Sequence, residues 1–169
     1  MITQATIADA AELSALINSA YRGEASKKGW TTEANLLEGT RTSEEELTTI
    51  ISSPNHYLLK FTSNEKIIGS VLLIAKNEAL YLGMLTVSPE LQNGGIGKQL
   101  LAVAEEQARS LGLNAIQMTV IGIRKELLNW YLRKGYEDTG KREPFPFGEG
   151  DKALTSAPLD FMVLEKKLS

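Results

Sequence analysis

The chain has 169 residues, a formal net charge of -3 and a pI near 5.3. Its 18 Lys and Arg residues are scattered rather than gathered into a stripe, so nucleic acid is not expected as the main partner. The absence of cysteine excludes disulfides, thiolate metal sites and a cysteine nucleophile, and we expect no metal. No apolar run reaches membrane-spanning length and no signal peptide is evident, so we expect one cytoplasmic domain over residues 1–169.

The first third of the chain predicts two helices separated by a long segment. After a short strand at residues 1–6, Asp9 is expected to cap a helix that runs to about Arg22, because apolar residues recur at helical spacing. Residues 23–41 contain three glycines and no clear periodicity, and long loops of this kind are often functional. Overlapping capping-box signals at residues 42–46 then predict a second, short helix.

Three consecutive antiparallel strands are expected next. Residues 56–62 and 66–76 are apolar, β-rich runs joined by Ser-Asn-Glu at 63–65, a pattern typical of a hairpin. A short turn at residues 77–78 leads into a third apolar strand, which ends at Val87.

A glycine-rich loop and the start of a helix follow this strand. Gly94, Gly95 and Gly97 allow backbone N–H groups to come close to a ligand. The first N–H groups of a helix have no partner within it and carry the positive end of its dipole, so the loop predicts a phosphate-type anion site. It is not a P-loop, which needs Ser or Thr where Gln99 stands, nor a dinucleotide fingerprint, which needs Gly or Ala at Leu100.

The second half of the chain predicts a strand–helix–strand crossover. Residues 114–120 alternate as a strand that should lie parallel to the one ending at Val87, because crossover connections join parallel strands. Residues 124–134 form a further helix, and residues 136–143 and 159–168 form two closing strands. This order of elements predicts an α/β or α+β domain built on a mixed sheet.

The glycine loop resembles that of a known family. Gln92, Gly95 and Gly97 give the pattern Gln-x-x-Gly-x-Gly, preceded by Val87-x-Pro89. This pattern resembles the acetyl-CoA pyrophosphate loop of the GNAT N-acetyltransferase superfamily. The resemblance implies the GNAT fold, a mostly antiparallel sheet with one parallel pair at the cofactor cleft.

A second motif extends the resemblance over almost the whole chain. Residues 131–136, Tyr-Leu-Arg-Lys-Gly-Tyr, are similar to the Tyr-x-x-x-Gly-Phe/Tyr helix ending of the superfamily. The segment at residues 23–41 varies with substrate among its members. Together with residues 133–147 and 159–167, that segment resembles a subset of bacterial GNAT proteins of unsettled substrate.

The resemblance implies that acetyl-CoA is the donor. Backbone groups of the strand before the glycine loop would bind the pantetheine arm, and the Leu85 N–H would also polarise the thioester carbonyl. Arg124 stands where many members have Asn, and it either binds a cofactor phosphate or simply begins the helix. The residues implied in cofactor binding are Leu85, Thr86, Val87, Gln92, Asn93, Gly94, Gly95, Ile96, Gly97, Lys98 and Arg124.

Acetyl transfer to an amine requires a group that accepts the amine proton and a group that protonates the departing thiolate. An alkyl amine has a pKa near 10.4, so its neutral form costs roughly 4–5 kcal/mol at pH 7. The resemblance gives the acid role to Tyr131, which could otherwise be a core tyrosine. Tyr81 stands where some members carry a glutamate, so the candidate bases are Tyr81 acting through water and Glu33.

Three aromatic residues lie in the two long loops. Trp30, Phe145 and Phe147 either wall an acceptor pocket or cover an open edge of the core, and Glu33 either serves as the base or orients the amine.

The residues and the resemblance together predict an N-acetyltransferase that moves an acetyl group from acetyl-CoA to a primary amine of a small molecule or peptide, by direct attack in a ternary complex. The alternatives are a non-catalytic acyl-CoA-binding sensor or regulatory module, and a phosphate-binding protein of another fold. Strands near the C-terminus offer an edge for a homodimer.

Overall fold

The computed structural model describes residues 1–21, 37–38, 41–91, 94–122, 124–143, 152–153 and 161–168. The helices are α1 (Ala10–Tyr21), α2 (Glu44–Ser52), α3 (Ile96–Ser110) and α4 (Lys125–Arg133), with a 3-10 turn at Ile7–Asp9. The strands are β1 (Ile2–Gln4), β2 (Leu37–Glu38), β3 (His56–Ser63), β4 (Lys66–Lys76), β5 (Ala79–Val87), β6 (Ala115–Ile121), β7 (Glu137–Glu143), β8 (Lys152–Ala153) and β9 (Phe161–Lys167). Every expected element is present, and β2 and β8 form a small second sheet that the sequence did not predict.

Within the described residues, the main sheet has seven strands in the order β1-β3-β4-β5-β6-β9-β7, and its only parallel neighbours are β5 and β6. The predicted mixed sheet with one parallel pair is therefore confirmed. The pairing between β5 and β6 joins Leu80 to Ile116 and Tyr81 to Gln117. Although β5 runs on to Val87 and β6 to Ile121, these described strands do not pair further, so they part and leave a gap between them.

The last strand lies inside the sheet rather than at its edge. β9 pairs with β6 on one side and with β7 on the other. Its first four residues, Phe161 to Leu164, are apolar, whereas every residue of the charged strand β7 is exposed. Charged residues are typical of edge strands, and β7 occupies the edge for this reason.

Each face of the sheet carries its own core. The face covered by α3 and α4 buries a cluster that includes Leu80, Leu82, Leu100, Ala104, Ile116, Met118, Leu128 and Tyr131. The face covered by α1 and α2 buries a second cluster that includes Leu13, Ile17, Leu47, Leu58, Leu72 and Met84. Within the described residues, no helix is both long enough and apolar enough to cross a membrane.

The expectation that Asp9 caps the first helix is wrong. Asp9 is the last residue of the 3-10 turn, and its carboxylate accepts the Thr6 N–H at 2.8 Å. The cap residue is Thr6, which has extended backbone, because the 3-10 turn begins at Ile7 and adds one turn before α1. Asp9 also forms an ion pair with Lys60 at 2.8 Å, which ties the turn to β3.

Candidate functional site

Strand β5 is interrupted by a bulge at Met84, directly before the residues predicted to bind pantetheine. Met84 has a φ of 47°, and the register with β4 shifts between the pairs Ser70–Thr86 and Leu72–Gly83. The buried Thr86 hydroxyl donates to the Met84 carbonyl at 2.9 Å and holds the bulge closed. A bulge adds one residue to one strand and turns the side chains that follow it to the other face.

The reversal of side-chain direction is seen in which of the two hydrophobic clusters each residue of β5 joins. Leu80 and Leu82 pack in the cluster under α3 and α4, whereas Met84 packs in the cluster under α1 and α2. After the bulge, Leu85 and Val87 pack against the α3 and α4 cluster again. The predicted pantetheine segment therefore begins at the bulge, in the part of β5 that has separated from β6.

The glycine loop leads directly into α3. Gly95 is the cap residue, with a left-handed φ of 81°, and a Cβ placed there would meet nothing within 4 Å. Its carbonyl accepts the Gln99 N–H at 3.1 Å, which is the first bond of the helix. The predicted loop residues Gln92 and Asn93 lie outside the described residues.

Two glycines bring the first turn of α3 close to its neighbours. A Cβ on Gly97 would lie 3.3 Å from Trp130 Cη2 of α4 and 3.7 Å from Val87 Cγ2. A Cβ on Gly69 of β4 would lie 2.9 Å from Ile96 Cγ2. The helix start is therefore held between the sheet and α4, beside the end of β5.

The start of α3 fits the diphosphate of a nucleotide-type donor. Its N–H groups at residues 96–98 have no partner within the helix and lie at the positive end of the helix dipole. The first turn of α3 contains no acidic residue, and the exposed Lys98 adds a positive charge. The open space at Gly95 leaves room for phosphate oxygens.

Tyr131 lies on the same face of the sheet as the glycine loop. Its side chain is 5% exposed, its ring meets Trp130 edge-on at 5.1 Å between centroids, and it stacks on Tyr136 at 5.8 Å. Because Trp130 in turn faces Gly97, Tyr131 is joined to the start of α3 through one intervening ring. The structure thus brings the predicted acid and the predicted anion loop together.

Tyr136 has a different environment from Tyr131. It is 2% exposed, and its hydroxyl has no hydrogen-bond partner among the described residues. Burial raises the pKa of Tyr136 far above its usual value, and the negative charge of Glu105 raises it further. Tyr136 is therefore a packing residue with a neutral hydroxyl.

Arg124 is the cap residue of α4. Its backbone N–H donates to the Ile121 carbonyl at 3.0 Å, and its carbonyl accepts the Leu128 N–H at 3.0 Å. Of the two interpretations of Arg124, the position at the helix start is confirmed. A contact with a cofactor phosphate stays a prediction.

Tyr81 points to the opposite face of the sheet from Tyr131, because it alternates with Leu80 and Leu82 along β5. Its hydroxyl lies 3.1 Å from Thr119 Oγ1 of β6, and the Lys76 ammonium lies 4.6 Å from its ring centroid. Tyr81 belongs to the wall of a cavity of about 600 Å³, which we call the sheet pocket. Its lining residues are Lys76, Tyr81, Gln117, Met118, Thr119, Glu143, Phe161 and Val163.

The sequence interpretation did not single out Lys76, Gln117 or Thr119. A signal for the last two was present, since polar Gln117 and Thr119 alternate with the buried residues Ile116, Met118 and Val120 of β6. Polar alternation marks a sheet face that is not fully covered by core. Gln117 donates to Glu165 Oε2 at 2.7 Å, so these polar groups are held in place.

The predicted acceptor-site residues Trp30, Glu33, Phe145 and Phe147 lie outside the described residues. Within the residues that the structure does describe, no group of three or more His, Cys, Asp and Glu side chains could hold a metal ion. His56, at the start of β3, contacts the Pro54 carbonyl through Nδ1 at 2.7 Å.

Comparison with known proteins identifies the family. A family model described as "Acetyltransferase (GNAT) domain" matches residues 24–145, well over half of the 169 residues. The chain therefore belongs to the GNAT acetyltransferase family, as the two motifs predicted.

Curated relatives match parts of the chain. It is 33% identical over 93 residues to an aminoalkylphosphonate N-acetyltransferase of Salmonella typhimurium, covering 51% of this chain and 60% of the relative. It is 36% identical over 67 residues to an amino-acid acetyltransferase of Pseudomonas putida, covering 40% of this chain and 15% of that protein. The chain thus spans less than two thirds of the length of either relative.

A solved structure extends the likeness of fold to the whole chain. The PaiA N-acetyltransferase of Thermoplasma acidophilum, determined in complex with coenzyme A, superimposes with a TM-score of 0.70 and 20% sequence identity. The match covers 99% of this chain and 98% of that protein. The likeness establishes the fold of the chain.

Proposed function

We propose that this chain transfers an acetyl group from acetyl-CoA to a primary amine of a small molecule or a peptide, by direct attack within a ternary complex. One arrangement carries the proposal: the glycine loop, the bulged end of β5 and Tyr131 lie on one face of the sheet, beside the gap between β5 and β6. The names of the two curated relatives, and the coenzyme A complex of the structural neighbour, support the same reaction class.

The donor would be held by backbone groups rather than by a cage of side chains. N–H groups of Gly94, Gly95, Ile96, Gly97 and Lys98 would bind the diphosphate, with Gln92 and Asn93 completing the loop. Arg124, at the neighbouring helix start, would add a positive charge for a phosphate.

The bulged segment of β5 would bind the rest of the donor. Backbone groups of Leu85, Thr86 and Val87 would pair with the pantetheine arm, and the Leu85 N–H would face the oxygen that gains charge in the transition state. Thr86 supports this role by holding the bulge closed through Met84.

The reaction balances without a covalent enzyme intermediate. The amine nitrogen attacks the thioester carbon, a carbon–nitrogen bond forms, the carbon–sulfur bond breaks, and the sulfur leaves as a thiolate. Tyr131 would donate its hydroxyl proton to that thiolate, whose conjugate acid has a pKa near 8.5, and its phenolate would take a proton back from solvent before the next turnover. The chain has no cysteine, so an acyl-cysteine route is excluded.

The amine proton must leave on the acceptor side of the sheet. Tyr81 lines the sheet pocket and shares a hydrogen bond with Thr119, so it would pass the proton through water to solvent. Glu33 is the second candidate for this role, and Trp30, Phe145 and Phe147 are the candidate acceptor walls.

Thiol release from acetyl-CoA across a panel of primary amines tests the proposal, with mass spectrometry to identify each acetylated product. We expect release that depends on both the protein and an amine, with one acetylamide formed per thiol. A folded protein that binds acetyl-CoA but releases no thiol with any amine would contradict the enzyme and favour the acyl-CoA sensor.

A further inference from the structure

The sheet pocket carries opposite charges at its two ends. Lys76 ends β4 and pairs with Ala79, on the side where β5 and β6 are still joined. Glu143 ends β7 and pairs with Phe161, which lies opposite Ile121, on the side where β5 and β6 have parted. The pocket therefore runs from a cation at its closed side to a carboxylate at the side of the gap.

The Lys76 ammonium is held over the pocket by an aromatic ring rather than by a carboxylate. It lies 4.6 Å from the centroid of Tyr81, a cation–π distance. Lys60 and Lys166 each pair with a carboxylate, at 2.8 and 3.2 Å, but no ion pair within the described part of the chain includes Lys76. The charge of Lys76 is thus not neutralised by another described side chain and faces the cavity.

The lining side chains between Lys76 and Glu143 carry no charge, and the Glu165 carboxylate beside them accepts a hydrogen bond from Gln117 at 2.7 Å. The hydroxyls of Tyr81 and Thr119 meet at 3.1 Å across β5 and β6, close to the point where the strands part. Gln117 is engaged by Glu165, and Phe161 and Val163 supply apolar wall. A ligand that spans this pocket would meet a positive end, two hydroxyls with apolar surface, and a negative end.

We propose that the sheet pocket binds acceptors that carry an anionic group, a carboxylate or a phosphonate, as well as the amine. This inference rests on the proposed function, because the gap between β5 and β6 is where the thioester would lie. The anion contacts the Lys76 ammonium, and the amine points past Tyr81 and Thr119 toward the gap, with Glu143 attracting its ammonium form. An acceptor with a second ammonium in place of the anion is disfavoured by Lys76.

Calorimetric binding to the full chain saturated with coenzyme A tests the pocket independently of turnover. The probes are β-alanine, 4-aminobutyrate and 2-aminoethylphosphonate, each compared with propylamine or butylamine, which lack the anion. We expect at least one amine that carries an anionic group to bind about tenfold or more tightly than its counterpart without that group, as one charge-assisted hydrogen bond provides.

Substitutions at two positions of β4 distinguish the effect of the Lys76 charge on ligand binding from the general effect of losing a lysine. Lys76→Met should remove most of the preference for the anionic amine and leave the affinity for propylamine and butylamine within about twofold, whereas Lys76→Arg should keep the preference. Lys66→Met is the matched control, because Lys66 is an exposed lysine at the other end of β4.

The outcomes are distinct from those of the proposed function. Equal binding of amines with and without the anionic group, or equal weakening of both by Lys76→Met, would overturn the pocket inference even if amines are acetylated. A preference that depends on Lys76, together with no amine-dependent thiol release, would support the pocket inference and contradict the acetyltransferase.

Discussion

Tyr131 and Tyr136 offer a matched pair of buried tyrosines, stacked at 5.8 Å, of which only Tyr131 has a proposed chemical role. We expect Tyr131→Phe to lower kcat by about 100-fold or more, the usual contribution of a positioned general acid, without weakening acetyl-CoA binding. Steady-state kinetics and calorimetry on the two variants measure both quantities. Tyr136→Phe is the control and should keep full activity; an unchanged kcat in Tyr131→Phe would remove Tyr131 from the mechanism.

The raised pKa of Tyr136 predicts how the stability of the protein changes with pH. Burial raises the pKa of Tyr136 in the folded state, whereas an unfolded tyrosine ionises near pH 10. Below about pH 10 both states keep the proton; above it the unfolded state loses the proton first, so the free energy of unfolding falls as pH rises.

Denaturant unfolding between neutral pH and pH values above about 10 checks this effect. We expect the wild type to lose more stability over this range than Tyr136→Phe. At neutral pH the variant should equal the wild type or exceed it by up to about 1 kcal/mol, because it removes a buried hydroxyl without a partner among the described residues. A clear loss of stability at neutral pH would show that the hydroxyl is satisfied.

At the scale of elements, the two ends of α3 provide a test of the glycine loop. Gly95 and Gly112 both have a left-handed φ, of 81° and 74°, and both have open space where a Cβ would lie. Alanine at either position should lower the free energy of unfolding by a similar amount, about 1 kcal/mol or more. Only Gly95→Ala should weaken acetyl-CoA binding, by about tenfold, because Gly95 orients the N–H groups that bind phosphate. Equal affinities in the two variants would contradict the anion site.

The bulge in β5 provides the second test at this scale. Thr86→Val removes the 2.9 Å hydrogen bond to the Met84 carbonyl, so we expect a loss of about 1 kcal/mol in unfolding free energy and a higher KM for acetyl-CoA. Thr139→Val is the control: it removes a 2.8 Å hydrogen bond from Thr139, in the edge strand β7, to the Val163 carbonyl of β9. An unchanged KM for acetyl-CoA in Thr86→Val would show that the bulge does not contribute to donor binding.

Elements with local signals were predictable, and the bulge was not. The hairpin between β3 and β4 turns at Asn64 and Glu65, both with positive φ, where the sequence breaks from apolar to polar. The alternation of β5 is regular on both sides of Met84, and methionine has no preference for positive φ. The extra residue shows in the φ of Met84 and in the register with β4, and a register depends on both strands.

At the scale of the whole molecule, the crossover from β5 through α3 to β6 made the parallel pair predictable. The position of β9 between β6 and β7 was not predictable, because alternation identifies a strand without naming its neighbours. The sheet pocket was missed for the same reason, since Lys76, Thr119 and Glu143 come from separate strands. Their proximity follows from strand order and register.

Calorimetric titration of the folded protein with acetyl-CoA, with ATP and NAD as controls, tests the central claim most directly. The glycine loop, the bulged β5 and the gap between the parallel strands should together give saturable binding of one acetyl-CoA per chain, well above any heat from ATP or NAD. A folded protein that failed to bind acetyl-CoA, or bound ATP equally well, would contradict the donor site and the function built on it.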